Sequence, residues 1–512
     1  MRTAAAATEA EIKSIGGAAW LSEPSVQVAA IIAIATTLKL ALCPFVGLGV
    51  NEAYAIASGR SMSLSYLDHP PLHLWLAHGC ELLLGYSAAA RIPFILLGAA
   101  TSWMMFVLAR DLFGPRAGVW TVAALNTSIF FNLVSGNWML PDGPLNFFLL
   151  ATAFTLAPTA LGRSLSMGRW AVAGLLAGTA ALSKYHALLF LAGYLAFLLL
   201  DRDHRRMLLQ PGPWIAAALA LAVFSPVLIW NASHGWISLR FQGGRAVPHH
   251  LGISLFFSLL CAQIAVLLPG ALVPLLAGTR NAAISRRSEE MFLLCLGFPT
   301  VALFTFIPLI TDKGMMHWAM PGWLMLMPLA GKYLDDRSRI SRRPLHLLGS
   351  TAAVLLVATL GAGLEYQTGW LGKDFPRLFK RGDPTADNAS WSALAPVLSD
   401  SNRKFILTST WRDAAEIDEA IGGKDRVIVA TDDPRNFAVG LHPQTFENAN
   451  GWIVLRTTTS NELDTAVRNC FGYTAHTANV VIARNERPDA SLTVFRGDRF
   501  AWRRCKLVTF RR

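Results

Sequence analysis

The side chains in this sequence best suited to chemistry stand in short polar stretches between long apolar runs. Glu52, Asp68 and Asp142 supply carboxylates, and Lys184, Arg240, Arg245 and Lys313 supply cations. Asn51, Tyr54, Tyr66, His69, Tyr185, His186, Gln242, His317 and Trp318 lie within a few residues of them. Carboxylates and several cations at one depth suit an anionic phosphate group combined with proton transfer. Lys and Arg neutralise the phosphate, and a carboxylate accepts the proton of an attacking hydroxyl. Taken singly, each residue equally suits a snorkelling or capping role. Their placement together is what points to a site.

The elements that must position these residues follow from composition. Of 512 residues, 53% are hydrophobic and only 15% charged, where soluble domains carry about 25% charged residues. Most of the chain is therefore expected to face lipid. Apolar runs of roughly 17 to 25 residues mark spanning helices. Eleven are read, near 25–49, 88–109, 117–135, 143–161, 169–183, 185–200, 213–230, 251–275, 291–310, 317–331 and 345–365. The fifth and sixth are one stretch broken at Ser183-Lys184-Tyr185-His186. An ammonium at the bilayer centre is costly, so a turn bringing Lys184 to an aqueous face is expected there.

Charge bias orients the spans. With the N-terminus inside, the cytoplasmic segments, beginning with residues 1–24, hold 17 Lys/Arg and the opposite segments 6, with Lys39 inside the first span. That asymmetry accounts for the net charge of +12 as membrane topology rather than nucleic-acid binding. An odd number of spans places residues 366–512 outside the cytoplasm. Glu52, Asp68, Asp142, Lys184, Arg240, Arg245 and Lys313 are then expected to share the outer face. Glu9 and Glu11 and the lack of a cleavage pattern make the first span a retained anchor.

The outer segment 50–87 is too polar to span and too apolar to float free. Asp68-His69-Pro70-Pro71 reads as a helix start with Asp68 as N-cap, leading into an interfacial helix through Leu72, Trp75, Leu76 and Leu83. His69, His73 and His78 do not suit a metal, because Pro70 and Pro71 separate His69 from the helix. His73 and His78 are also about 140° apart around its axis. A divalent metal held by outer carboxylates stays open. The six cysteines form no CxxC pair, which disfavours a zinc or redox protein; Cys470 and Cys505 suit a disulfide in an oxidising compartment.

The order of these motifs resembles a known family. Asn51-Glu52-Ala53-Tyr54 followed by Ser65-Tyr66-Leu67-Asp68-His69-Pro70-Pro71-Leu72 is similar to the first outer loop of GT-C class membrane glycosyltransferases. The likeness is to the bacterial branch related to protein O-mannosyltransferases and the lipid A aminoarabinose transferase. Leu140 to Leu145, Leu182 to Ala187, the Gln242/Arg245 segment and Lys313 to Gly322 resemble later landmarks, so the likeness covers about 1–330. It implies a polyprenyl-phosphate-sugar donor, an envelope glycan, lipid or protein acceptor, inversion at the anomeric carbon, and no nucleotide cofactor. The family's first-loop acid falls at Asn51, which takes no proton at neutral pH. Glu52, assisted by Asp68, is then the expected base, unless the acceptor is already anionic and Asn51 orients it. Lys184, Arg240, Arg245 and Lys313 are expected at the donor phosphate.

The expected architecture is a polytopic all-α GT-C-like membrane body of about eleven helices over 25–365, with a C-terminal extracytoplasmic α/β domain over 366–512. Strands are expected at Lys404–Thr410, Arg426–Thr431, Gly451–Thr457, Val480–Ala483 and Leu492–Phe495, and helices at Asp413–Ile421 and Glu462–Phe471. The competing reading is a transporter or lipid-linked-sugar flippase. Such proteins often repeat one half in the other, and no internal repeat is found.

Overall fold

The structure is a computed structural model that describes residues 23–85, 88–200, 202–244, 247, 252–311, 313–375, 383–400, 402–431, 433–484 and 487–505. Arg245, most of the tail 1–24 and the Asp432 of the turn before Arg435 lie outside the described residues. Two compact units emerge. One comprises 1–41, 92–228 and 242–356; the other comprises 42–91, 229–241 and 357–512. Grouping by contact thus joins the first outer segment to the C-terminal region, whereas hydropathy alone grouped it with the membrane body.

Every apolar run read from the sequence contains a helix. Seven helices among the described residues are long and apolar enough to cross a membrane: Pro24–Phe45, Ala88–Phe113, Asp142–Ala160, Pro211–Ser233, Ile253–Ser285, Ser288–Leu309 and Arg343–Thr368. The other four runs hold Pro115–Asn126, Met167–Ser183, Ala187–Leu199 and Met320–Ser338, which are shorter or more polar. The chain is a multi-pass membrane protein, and seven of the eleven expected spans meet the length and hydropathy that crossing requires. The break at Lys184 is present: Met167–Ser183 ends there, Lys184 is extended (φ −161°, ψ 141°), and Ala187–Leu199 follows.

The first unit packs around Phe190, Phe197, Phe292 and Leu326, all nearly inaccessible. Lipid offers no hydrophobic drive for helix association, so small residues that permit close approach matter. A Cβ on Gly297 would fall 2.6 Å from the Gly322 carbonyl oxygen, so these two helices meet backbone to backbone.

In the second unit, β1 (Phe405–Thr408), β2 (Arg426–Val429), β3 (Gly451–Arg456), β4 (Phe471–Arg484) and β5 (Arg487–Phe500) form one sheet in the order β2-β1-β3-β5-β4. β1 is parallel to β2 and β3, while β5 is antiparallel to β3 and β4. Alternation sends Ile406 into one core layer and Phe405 and Leu407 into the other. The expected helices are present as Trp411–Ala420 and Asn461–Arg468, and Ser460 caps the second by accepting from the Leu463 amide. The last two strands run 14 residues each. Only the apolar end of β4 and the apolar centre of β5 stood out in the sequence, because β4 is largely exposed over Gly472 to Asn479. Cys470 and Cys505 form a disulfide.

The interfacial helix spans Leu72–Leu84, but Asp68 does not cap it. Pro71 occupies the N-cap position with no side-chain cap. The Asp68 carboxylate is instead drawn into a tertiary cluster, whose charged partners outcompete local amide donors.

Candidate functional site

In the membrane body, Asp142 opens helix Asp142–Ala160 and Lys184 closes helix Met167–Ser183. Lys184 Nζ donates to Asp142 Oδ1 at 2.9 Å, with each side chain 4% exposed. An unpaired charge at such a depth would be strongly unfavourable, so the pair holds two helix ends together. Tyr185 meets Phe224 edge-on at 6.3 Å. His186 stacks on Phe304 at 4.5 Å, and Phe304 packs against Trp318 at 5.6 Å. The Lys184 turn and the 316–318 turn are thus brought together through one phenylalanine. Gln242 and His317 are half-buried and Lys313 is exposed in this unit.

Two further groups here were not read from the sequence as site residues. Lys39, 6% exposed, donates to the Asn132 and Gly136 carbonyl oxygens at 3.3 and 3.1 Å. Buried Gln263 accepts from Trp323 Nε1 at 3.1 Å. A lone lysine in an apolar run did signal an unusual site, but its carbonyl partners lie over 90 residues away.

In the second unit the first outer segment begins with helix Val50–Arg60. Glu52 Oε2 accepts from the Gly49 amide at 2.9 Å, closing the first turn. Glu52, expected to accept a proton from substrate, is engaged otherwise. Arg91 Nε donates to its Oε1 at 2.8 Å and Arg91 Nη2 donates to Oε2 at 2.5 Å, with the two side chains 2% and 1% exposed. The same guanidinium donates to the Val46 and Gly47 carbonyl oxygens at 2.7 and 2.6 Å. The pair pins the loop ahead of the helix. Asn51 beside it is exposed.

Asp68 sits in a second cluster and is 2% exposed. Its Oδ2 accepts from the Tyr54 hydroxyl and from Arg435 Nη1, both at 3.1 Å, and Oδ1 accepts from Asn436 Nδ2 at 3.2 Å. Asn436 also donates its amide to the Tyr54 oxygen and accepts from the Leu67 amide. Burial, and then the Asp68 charge, push the Tyr54 phenol well above its ordinary pKa, so it stays a donor. The Arg435 guanidinium lies over the Trp411 ring at 4.8 Å and the Phe241 ring at 5.4 Å. Arg435 has φ +50°, a left-handed conformation that is uncommon for a non-glycine residue and clusters at functional sites. Neither Arg435 nor Asn436 was marked in the sequence, where they look like an ordinary turn after Asp432-Asp433-Pro434. Buried Tyr66 accepts from the Ser63 amide, half-buried His69 meets His73 edge-on, and exposed Arg240 donates to the Gly235 carbonyl.

The fold has solved counterparts. Over 94% of this chain and 98% of the other, it matches the apo crystal structure of ArnT from Cupriavidus metallidurans, with a TM-score of 0.65 at 16% identity. The undecaprenyl phosphate-bound structure of the same protein matches equally, with a TM-score of 0.65 and 16% identity over 92% and 97% of the two chains. The chain thus has the GT-C-class fold in its ArnT-related form, as the motif order implied. Residues 68–230 match the family model of dolichyl-phosphate-mannose-protein mannosyltransferases. Among curated proteins, the lipid A galacturonosyltransferase RgtD of Rhizobium johnstonii is 28% identical over 290 residues. The match covers 54% of this chain and 58% of that relative's length.

Proposed function

We propose that this protein is an inverting glycosyltransferase. It moves a sugar, of the uronosyl class, from a polyprenyl-phosphate donor to lipid A or a related envelope acceptor. The observation that carries the reading is the match to a lipid A galacturonosyltransferase, on a chain whose fold is also that of an undecaprenyl phosphate-bound protein. The acceptor oxygen attacks the anomeric carbon, the bond from that carbon to the phosphate oxygen breaks, and polyprenyl phosphate leaves. A hydroxyl acceptor gives its proton to a carboxylate.

Of the two expected carboxylates, the geometry favours Asp68 as that base. Glu52 is tied on both oxygens to a buried guanidinium, which suits a role in shaping the loop. Asp68 is equally buried, but among the described residues it takes a single guanidinium nitrogen, from an Arg435 shared with Asp433, and its other partners, Tyr54 and Asn436, are neutral donors, so its charge is compensated less completely than that of Glu52. Lys184, Arg240, Arg245 and Lys313 are assigned to the donor phosphate, with Asp142 orienting Lys184; Tyr185, His186, His317, Trp318 and Gln242 are assigned to the donor's remaining contacts. The charge bias of the loops and the Cys470–Cys505 disulfide support a bacterial inner-membrane location with the C-terminal domain in the periplasm. The test is sugar transfer by Asp68→Asn and Glu52→Gln variants whose fold is verified. Loss in the first with retention in the second is expected, and full rate in Asp68→Asn would remove the assignment.

A further inference from the structure

A cavity of about 230 Å³ lies wholly within the second unit, between the end of helix Val50–Arg60 and the turn entering β2. Its lining includes Arg60, Ser61, Ser63, Tyr66, Lys424 and Arg426. Three cations therefore face one hollow that also offers hydroxyl groups. Arg60 is already held, donating to Glu81 and, at 2.6 Å, to Asp418. Arg426 senses the Asp418 charge, yet among the described residues neither it nor Lys424 has a side-chain hydrogen bond or ion pair.

The backbone gathers these charges. Gly422 and Gly423 have φ of +64° and +66°, and a Cβ on Gly423 would overlap the Arg60 guanidinium. The glycine pair thus lets Arg60 lie against the turn that delivers Lys424 and Arg426. The carboxylates lining the same hollow are Asp418 and Asp425, and Glu81 pairs with Arg60, so Lys424 and Arg426 are the cations left to meet a ligand. Burial raises the Asp418 pKa to about 6, so a cationic surplus develops in mildly acidic medium.

The cavity adjoins the Asp68 cluster. Tyr66 lines it two residues before Asp68, and Asn436 lines it while donating to Asp68. A ligand seated there is delivered toward the group assigned to take the acceptor's proton.

We propose that this cavity binds an acidic pyranose, carrying a carboxylate or phosphate, that belongs to the acceptor glycolipid; the assignment to the acceptor rests on the glycosyltransferase reading above. Charge-assisted hydrogen bonds from Lys424 and Arg426 hold the anion, and the serine hydroxyls and Tyr66 face the ring.

The experiment has two arms on full-length protein in detergent or nanodiscs, comparing the parent with Lys424→Ala/Arg426→Ala. Thermal unfolding first verifies that the variant is folded. In the binding arm, saturation-transfer NMR uses galacturonate and galactose 1-phosphate as probes, with neutral galactose as control. Contacts to both anionic probes and not to galactose are expected in the parent, reduced at least about tenfold in the variant. Equal signals for galactose, or anion signals unchanged in the variant, overturn the site. In the kinetic arm, the acceptor KM is expected to rise at least about tenfold while the donor KM stays within about twofold. A raised donor KM with an unchanged acceptor KM assigns the anion to the donor and overturns the acceptor placement. Absence of transfer by the parent would count against the glycosyltransferase reading, while the binding arm would still decide whether the cavity takes acidic sugars.

Discussion

Replacing Arg91 by alanine strands Glu52 in a site that is 2% exposed and removes the donors to the Val46 and Gly47 carbonyl oxygens. Breaking one side of a buried ion pair costs about 3–5 kcal/mol, because the remaining charge is left without compensation. Against a total stability of about 5–15 kcal/mol, that is enough to loosen the first outer segment. Glu52→Gln strands the guanidinium instead, although it keeps an amide oxygen to accept from it. The double variant Glu52→Gln/Arg91→Ala removes both charges. It is expected to recover about 0.5–3 kcal/mol relative to the sum of the two single losses, the coupling typical of residues in direct contact. Thermal unfolding of purified, detergent-solubilised protein reads the cycle, and sugar transfer reads the role. If Glu52 only shapes the loop, the double variant keeps transfer within about tenfold of the parent. Additive losses would refute the ion-pair account, and a stable double variant slowed by about 100-fold or more, the scale of general-base catalysis, would return Glu52 to the role of base.

Arg435→Ala is expected to lower transfer by about 100-fold or more, because Asp68 loses the donor that holds its carboxylate in position for proton transfer. Arg435→Lys should restore only part of it, since an ammonium reproduces neither the donor fork nor the stacking on Trp411; full activity in Arg435→Ala would contradict the clamp. Cys470→Ser should lower the thermal stability of the C-terminal domain by about 3–4 kcal/mol, the entropic scale of a loop with a 35-residue separation. Thiol labelling of the unreduced parent should find neither Cys470 nor Cys505. Asp418 is raised by burial to about 6 in the folded protein, from the ordinary 3.8. A carboxyl raised in this way is favoured while protonated, so stability should fall by about 3 kcal/mol as pH rises from about 4 to 6 and level off above that. Asp418→Asn should flatten this slope in unfolding curves recorded across that range, and an unaltered slope would assign it to other groups.

The membrane helices were legible because each needs a run of apolar residues within itself, a local property of the sequence. Lys184 marked its own turn for the same reason: a charge inside such a run has few places to go. The disulfide could be anticipated from two cysteines in a region with strands and helices of its own. The clamp on Asp68 could not, because its partners at 435 and 436 are more than 360 residues away and share no motif with it. The mistaken N-cap has the same origin. Local spacing made Asp68 a good cap for Leu72–Leu84, but a distant guanidinium and amide bind its carboxylate instead. Arg91 looked like one more charge beside a span, and only the folded loop makes it the counterion of Glu52.

The central claim is tested most directly by incubating the purified protein, reconstituted in lipid, with polyprenyl-phosphate-linked galacturonate and lipid A and weighing the lipid product. The account predicts lipid A heavier by one uronosyl residue in the parent reaction, with no such product from Asp68→Asn. Lipid A of unchanged mass, with the donor instead moved intact across a sealed bilayer, would contradict it.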